Sequence, residues 1–304
     1  MNLEPIAVAY AILYLIALAL AYWNRKSFPL GESLLAILII GVGFTGVVYV
    51  STLWVKSTPI LEEVPASQFH FTLAYLAVVA VLLVYKVTPQ RWKDSFVKAN
   101  FAELLFKLPV FVILPIILLR QFWNASWQSL GFSWGDVPGQ LIVSVVLILL
   151  FGGFNLFAGS GAAPLRGGQF SGRQIALGVS ITFLWNIIEV GLVEEFFFRG
   201  FIQTRMVNYT GSALAGICLA SLLFGLAHAP GMYLRRGDKN GPLGEHPSLL
   251  NSVLYAILIL SPAGWFTGLL YWKTQSLLAP VLLHAAIDTV VHASDFIAGL
   301  KLRQ

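Results

Sequence analysis

The chain has 304 residues, 58% apolar and only 11% charged, with a mean hydropathy of +0.79; soluble domains carry roughly 25% charged residues, so most of this surface faces something other than water, and disorder is excluded. The net charge of +5 comes from 19 Lys+Arg against 14 Asp+Glu, but the basic residues fall in short gaps between apolar runs, a mark of membrane topology rather than of nucleic-acid binding. The single cysteine, Cys218, lies within an apolar run, which excludes disulfide frameworks and Cys-based zinc sites.

A spanning helix needs about 20 predominantly apolar residues. Nine runs qualify, at about 5–23, 34–55, 69–85, 101–119, 139–158, 174–196, 211–229, 249–270 and 276–299. The expectation is an all-α polytopic transmembrane helical bundle of about nine spans, with eight as the variant. The first run carries Glu4 and no Lys or Arg ahead of it, and it is too long for a signal-peptide core, so it reads as a retained span. No repeat, low-complexity tract or soluble domain is visible, and the longest hydrophilic stretches are about 86–100, 120–138 and 229–248. Summed over alternate loops, one side of this arrangement carries 13 Lys/Arg and the other 5. The positive-inside rule then places the N-terminus outside and the C-terminus in the cytoplasm, with the plasma (inner) membrane of a prokaryote as the expected location.

The first five spans are almost free of ionisable residues. Span 4 has Glu103 and Lys107, four apart, which read as a local ion pair or as side chains snorkelling to the interface. The second half differs. Span 6 runs through Glu189 to Glu194, Glu195, the Phe196–Phe198 triplet and Arg199. Its helical character continues to about Val207, which makes a helix of about 33 residues, roughly 50 Å at 1.5 Å per residue. Span 7 ends in Phe224 and His228, closed by Pro230-Gly231; Pro262-Ala263-Gly264 could break span 8; span 9 holds His284, Asp288, His292 and Asp295. Gly244-Glu245-His246-Pro247 reads as loop.

Ionisable groups in lipid turn inward and find partners. Glu195 and Arg199 share a helix face, while Glu194 points about 100° away, toward another helix. The four polar residues of span 9 keep within an arc of about 80°. Two carboxylates on one helix, a histidine on a second, and a histidine with an aspartate on a third have the parts of a water-activating site. Plainer readings stand beside this one. Glu195 with Arg199 can be purely supporting, His228 alone a helix cap, His292 and Asp295 an interfacial pair, and the phenylalanines packing or lipid-facing bulk.

Glu194-Glu195-xxx-Arg199, then Phe224-xxx-His228, then His284-xxx-Asp288, in this order on successive spans, resemble the CPBP family (also called ABI), the CAAX-processing and bacteriocin-processing intramembrane proteases. The resemblance covers about residues 174–300. It implies N-terminal transmembrane helices of unassigned role over 1–173 and a CPBP-type catalytic core over 174–304. It further implies an intramembrane endopeptidase that cleaves a membrane-associated protein or peptide. Glu194 would be the general base that activates water beside His228, with Glu195 and Arg199 orienting the site. His284 and Asp288 would complete it, as metal partners or as donors to the tetrahedral oxyanion. Family members are described both as metalloproteases and as metal-independent glutamate proteases. One divalent, zinc-like metal held by Glu194, His228, His284 and Asp288 is therefore one form of the expectation, and a metal-free glutamate–histidine site the other. The family often has Asn at the last position; Asn can donate to an oxyanion whereas an ionised Asp only accepts, which leans toward a cation or a protonated Asp288. No His-Glu-x-x-His zinc helix, rhomboid-type serine motif or presenilin-type Gly-x-Gly-Asp occurs. The bilayer and the substrate are the expected partners, and nucleic acid is not. A non-catalytic scaffold or bacteriocin-immunity-type partner binder, and a proton- or cation-coupled transporter, are the rival readings.

Overall fold

Lipid offers no hydrogen bonds to a backbone, so a spanning chain must satisfy its own N–H and C=O groups, and helices do so within one segment. The computed structural model describes residues 4–56, 64–85, 95–234 and 243–300, and among these it is helical without strands. Nine of the described helices are long and apolar enough to cross a membrane: α1 (Pro5–Trp23), α2 (Leu30–Ser51), α3 (Ala66–Leu83), α4 (Phe96–Trp123), α5 (Val137–Ala158), α6 (Gly172–Thr210), α7 (Ala213–Leu234), α8 (Leu249–Thr274) and α9 (Leu278–Gly299). The protein is an integral multi-pass membrane protein. Eight of the 13 basic residues behind the expected orientation, in 86–94, 235–242 and 301–304, lie outside the described residues.

The helices begin and end where side chains and backbone angles allow. Ser95, Asp136, Ser171 and Ser248 each accept from a backbone N–H three residues on, capping α4, α5, α6 and α8. At Ser171 the Gln174 side chain returns the bond, a full capping box. Asn124 at φ 49° ends α4, and Gly211 at φ 72° ends α6; both conformations are left-handed and break the helical ladder. Hydropathy alone placed the start of α4 five residues late and its end four early, because capped polar turns continue the helix past the apolar run.

Two expected breaks are not breaks. Pro230 lies inside α7, which continues to Leu234, and Pro262 lies inside α8. A proline removes only its own N–H and crowds the carbonyl four residues back. Ahead of Pro262 the helix widens into a π-helical stretch, Ala256–Leu260, one of the local adjustments by which membrane helices absorb proline. The carbonyl four residues before Pro262, Leu258 O, accepts instead from Tyr14 Oη at 2.9 Å.

The helices form two compact units that interleave along the chain. One holds α1, α2, α3, α7, α8 as far as Trp272, and the last turns of α6 from Phe201. Here Trp265 donates to the Tyr10 hydroxyl at 2.8 Å, and that hydroxyl lies 2.6 Å from Ser261 Oγ, joining α1 to α8. Gly225 lets α7 approach α8 so closely that a Cβ there would collide with the Ala256 carbonyl.

The other unit holds α4, α5, α6 as far as Gly200, and α9. Its centre is the pairing of α6 with α9. A Cβ at Gly191 would lie 2.7 Å from the Val281 carbonyl, so only glycine permits this approach. Asn186 donates to Thr289 Oγ1 at 3.3 Å along the same seam. Phe196, Phe197 and Phe198 are all buried. Phe196 stacks on Phe132, and Phe197 meets Phe111 of α4 edge-on at 4.6 Å between ring centroids. The phenylalanine triplet is packing, not lipid-facing bulk.

Candidate active site

The site begins in an irregularity of α6. One α turn, Val193–Glu195, lies between two π-helical stretches, Ile187–Leu192 and Phe196–Gln203. Such stretches occur frequently at functional sites because they re-aim side chains. Glu189 and Glu194 are five apart; on a regular α-helix they would point about 140° from each other. A π turn closes its hydrogen bond on the fifth residue and returns the two carboxylates to one side.

Glu195 is fully enclosed, at 0% exposure. Its Oε1 lies 2.6 Å from His284 Nδ1, and its Oε2 lies 3.2 Å from Arg199 Nε, with Arg199 itself 1% exposed. Since a carboxylate accepts, Nδ1 of His284 is the donor, and the ring's other nitrogen sits 3.9 Å from Asp288 Oδ1. An imidazole held in this way has a fixed tautomer and orientation, a hydrogen-bond arrangement that prepares a histidine for acid–base work or ligation through Nε2.

Glu194 faces elsewhere. Lys107 of α4 places its Nζ 3.7 Å from Glu194 Oε1, 2.6 Å from Glu189 Oε1 and 3.2 Å from Glu103 Oε1. The ion pair of Glu103 with Lys107 expected from spacing is present, but it is one arm of a larger cluster. Adjacent residues of α6 thus serve two networks, Glu195 inward to Arg199 and α9, Glu194 toward α4.

His228 belongs to the other compact unit. Its Nδ1 lies 2.8 Å from the Phe224 carbonyl, one turn back on α7, and its ring meets Phe224 edge-on at 4.9 Å. A carbonyl only accepts, so Nδ1 carries the proton and Nε2 is the acceptor of the neutral ring. Phe224 of the sequence motif therefore orients His228 through its backbone and its ring together. Near the end of α9, His292 and Asp295 lie 3.8 Å apart with side chains 51% and 72% exposed, outside the buried cluster.

The structure thus gathers Glu195, Arg199, His284 and Asp288, sets Glu194 against Lys107, and positions His228 on its own helix. Lys107 is the member that spacing did not identify as part of the site. Among the described residues no three His, Cys, Asp or Glu side chains are grouped so as to hold a metal ion. The description as a metalloprotease has no support here. What the residues offer is carboxylate, imidazole and guanidinium chemistry.

Residues 176–290 match the family model described as type II CAAX prenyl endopeptidase Rce1-like. No curated protein and no solved structure matches the chain. The matched segment holds Glu194, Glu195, Arg199, His228, His284 and Asp288, all three motifs of the CAAX-protease resemblance. Over these residues the chain is similar to the Rce1-like family, a family of peptidases.

Proposed function

We propose that the protein is an intramembrane endopeptidase in which Glu194 activates the attacking water. The observation that carries the reading is Glu195, wholly buried and held at once by Arg199 and His284, which fixes the stretch of helix from which the neighbouring Glu194 projects. In the proposed step Glu194 takes a proton from water, and the hydroxide adds to the scissile carbonyl carbon. On the resemblance, His228 has a supporting part in this step. His284, its Nδ1–H committed to Glu195, presents Nε2 to the oxyanion and donates to it as the imidazolium, beside Asp288. Collapse of the tetrahedral intermediate breaks the C–N bond as Glu194 passes its proton to the leaving amine. The family's description points to prenylated C-terminal peptides as the substrate class. We further propose the orientation with the N-terminus outside and the C-terminus in the cytoplasm, in the plasma membrane of a prokaryote, on the balance of loop charges.

The test is cleavage of a farnesylated CAAX-type peptide by the full chain in proteoliposomes. Glu194→Gln keeps the shape but removes the base, and should lower kcat by at least about 100-fold. Cleavage retained by this variant overturns the assignment of the base. Function that survives simultaneous loss of Glu194, His228 and His284 would instead favour a scaffold that acts by binding a partner.

A further inference from the structure

Lys107 lies on α4, outside the matched segment, among helices to which the resemblance gives no role. Its side chain is 16% exposed, and its ammonium carries three N–H donors. Three carboxylates face it: Glu103 from its own helix, and Glu189 and Glu194 from α6. The distances are unequal. At 2.6 Å the bond to Glu189 is short and charge-assisted; at 3.7 Å the approach to Glu194 is an ion pair and not a hydrogen bond. The ammonium is therefore docked on Glu189 and acts on Glu194 by charge. The π turn between Glu189 and Glu194 is what makes one cation serve both.

We propose that Lys107 is a positioning residue for the hydrolytic step, holding the Glu194 carboxylate in its reactive direction from a helix outside the matched core. The inference rests on Glu194 being the base. It assigns α4 a part in the site and makes Glu189 the dock that keeps the ammonium off Glu194.

Peptide cleavage by the full chain in proteoliposomes tests this with Lys107→Met, Lys107→Arg, Glu189→Gln and Glu194→Gln. A lost positioning contact of this kind costs about 10- to 100-fold in activity. Lys107→Met should show that loss in kcat with KM changed less than about twofold, and Lys107→Arg should restore most of it. Glu189→Gln should lower kcat part of the way, and adding it to Lys107→Met should cost little more. An unchanged kcat in Lys107→Met, or a loss that Lys107→Arg does not rescue, overturns the proposal. If Lys107→Met does not fold, Glu189→Gln decides, since it keeps the cation and removes only its dock; wild-type kcat in that variant overturns the proposal. Activity retained by Glu194→Gln removes the base assignment and this inference with it, whereas an inactive Glu194→Gln beside a fully active Lys107→Met removes this inference alone.

Discussion

Glu195→Gln is the change whose consequence the structure specifies most fully. The native carboxylate accepts from His284 Nδ1 at 2.6 Å, and its other oxygen makes an ion pair with Arg199 Nε at 3.2 Å. A glutamine of the same shape has one acceptor oxygen and one amide nitrogen that only donates. Whichever way the amide turns, one of the two neighbours meets a donor with a donor. Arg199 stays charged and, at 1% exposure, cannot reach water for compensation. Breaking one side of a buried ion pair costs about 3–5 kcal/mol in soluble proteins. Within a membrane the unfolded helices also find partners, and measured polar contacts there are smaller, about 1–2 kcal/mol. A loss of about 3 kcal/mol is therefore expected for Glu195→Gln, and a similar one for Arg199→Met.

The pair of single variants and their double variant form a cycle that isolates the interaction. Simple addition would give about 6 kcal/mol; removal of both charges together should cost only about 2–3 kcal/mol, because neither is left buried alone. Reversible unfolding in mixed micelles with increasing SDS, followed by helical circular dichroism, measures all three. Either single variant within about 0.5 kcal/mol of the parent, the range of an ordinary surface change, would refute the reasoning, and so would strict additivity.

Two further outcomes follow from other parts of the molecule. Tyr14→Phe removes the donor to Leu258 O, the carbonyl that Pro262 leaves unserved, and should cost about 1 kcal/mol in the same unfolding assay. Pro262→Ala supplies a backbone N–H to that carbonyl, so Tyr14→Phe should cost measurably less in its presence; equal costs in the two backgrounds would show that the hydroxyl and the proline are not linked. Asp288→Asn exchanges a carboxylate 3.9 Å from His284 for an amide that can donate to an oxyanion. Cleavage should persist within about threefold of the parent rate, and a complete loss would mean that the carboxylate charge itself is needed.

The number of spans was legible because hydropathy is a direct readout of the solvent, and lipid leaves few alternatives to a helix. The ends were less legible. Ser171 with Gln174 and Ser95 cap their helices beyond the apolar runs, and such caps act through polar residues that a hydropathy window counts against the span. Proline misled in the opposite direction. Pro230 and Pro262 look like stops, yet α7 and α8 carry them internally, since a π stretch and a tyrosine hydroxyl can absorb what a proline removes.

At the site, contacts within one helix were readable from spacing. Glu195 with Arg199, and His284 with Asp288, stand four apart and meet as that spacing requires. Contacts between helices were readable only as a type, an inward polar face seeking a partner. That Glu195 finds His284 depends on α6 and α9 being neighbours, and this in turn depends on Gly191, whose missing side chain lets the two backbones close.

Lys107 shows why regular periodicity fails at such a point, and what other signal was present. Read at 3.6 residues per turn, Glu189 and Glu194 diverge, so no single cation could be assigned to both. The charges themselves tell a different story. Arg199 stands four residues from Glu195, whereas no cation stands three or four residues from Glu189 or Glu194. An ammonium within an apolar span is equally costly when poorly compensated, and Lys107 had only Glu103 within its helix. The π-helical stretch at 187–192 resolves both deficits with one cluster. In a chain this poor in charge, an ammonium on one apolar span and two carboxylates on another are candidates for each other by scarcity alone.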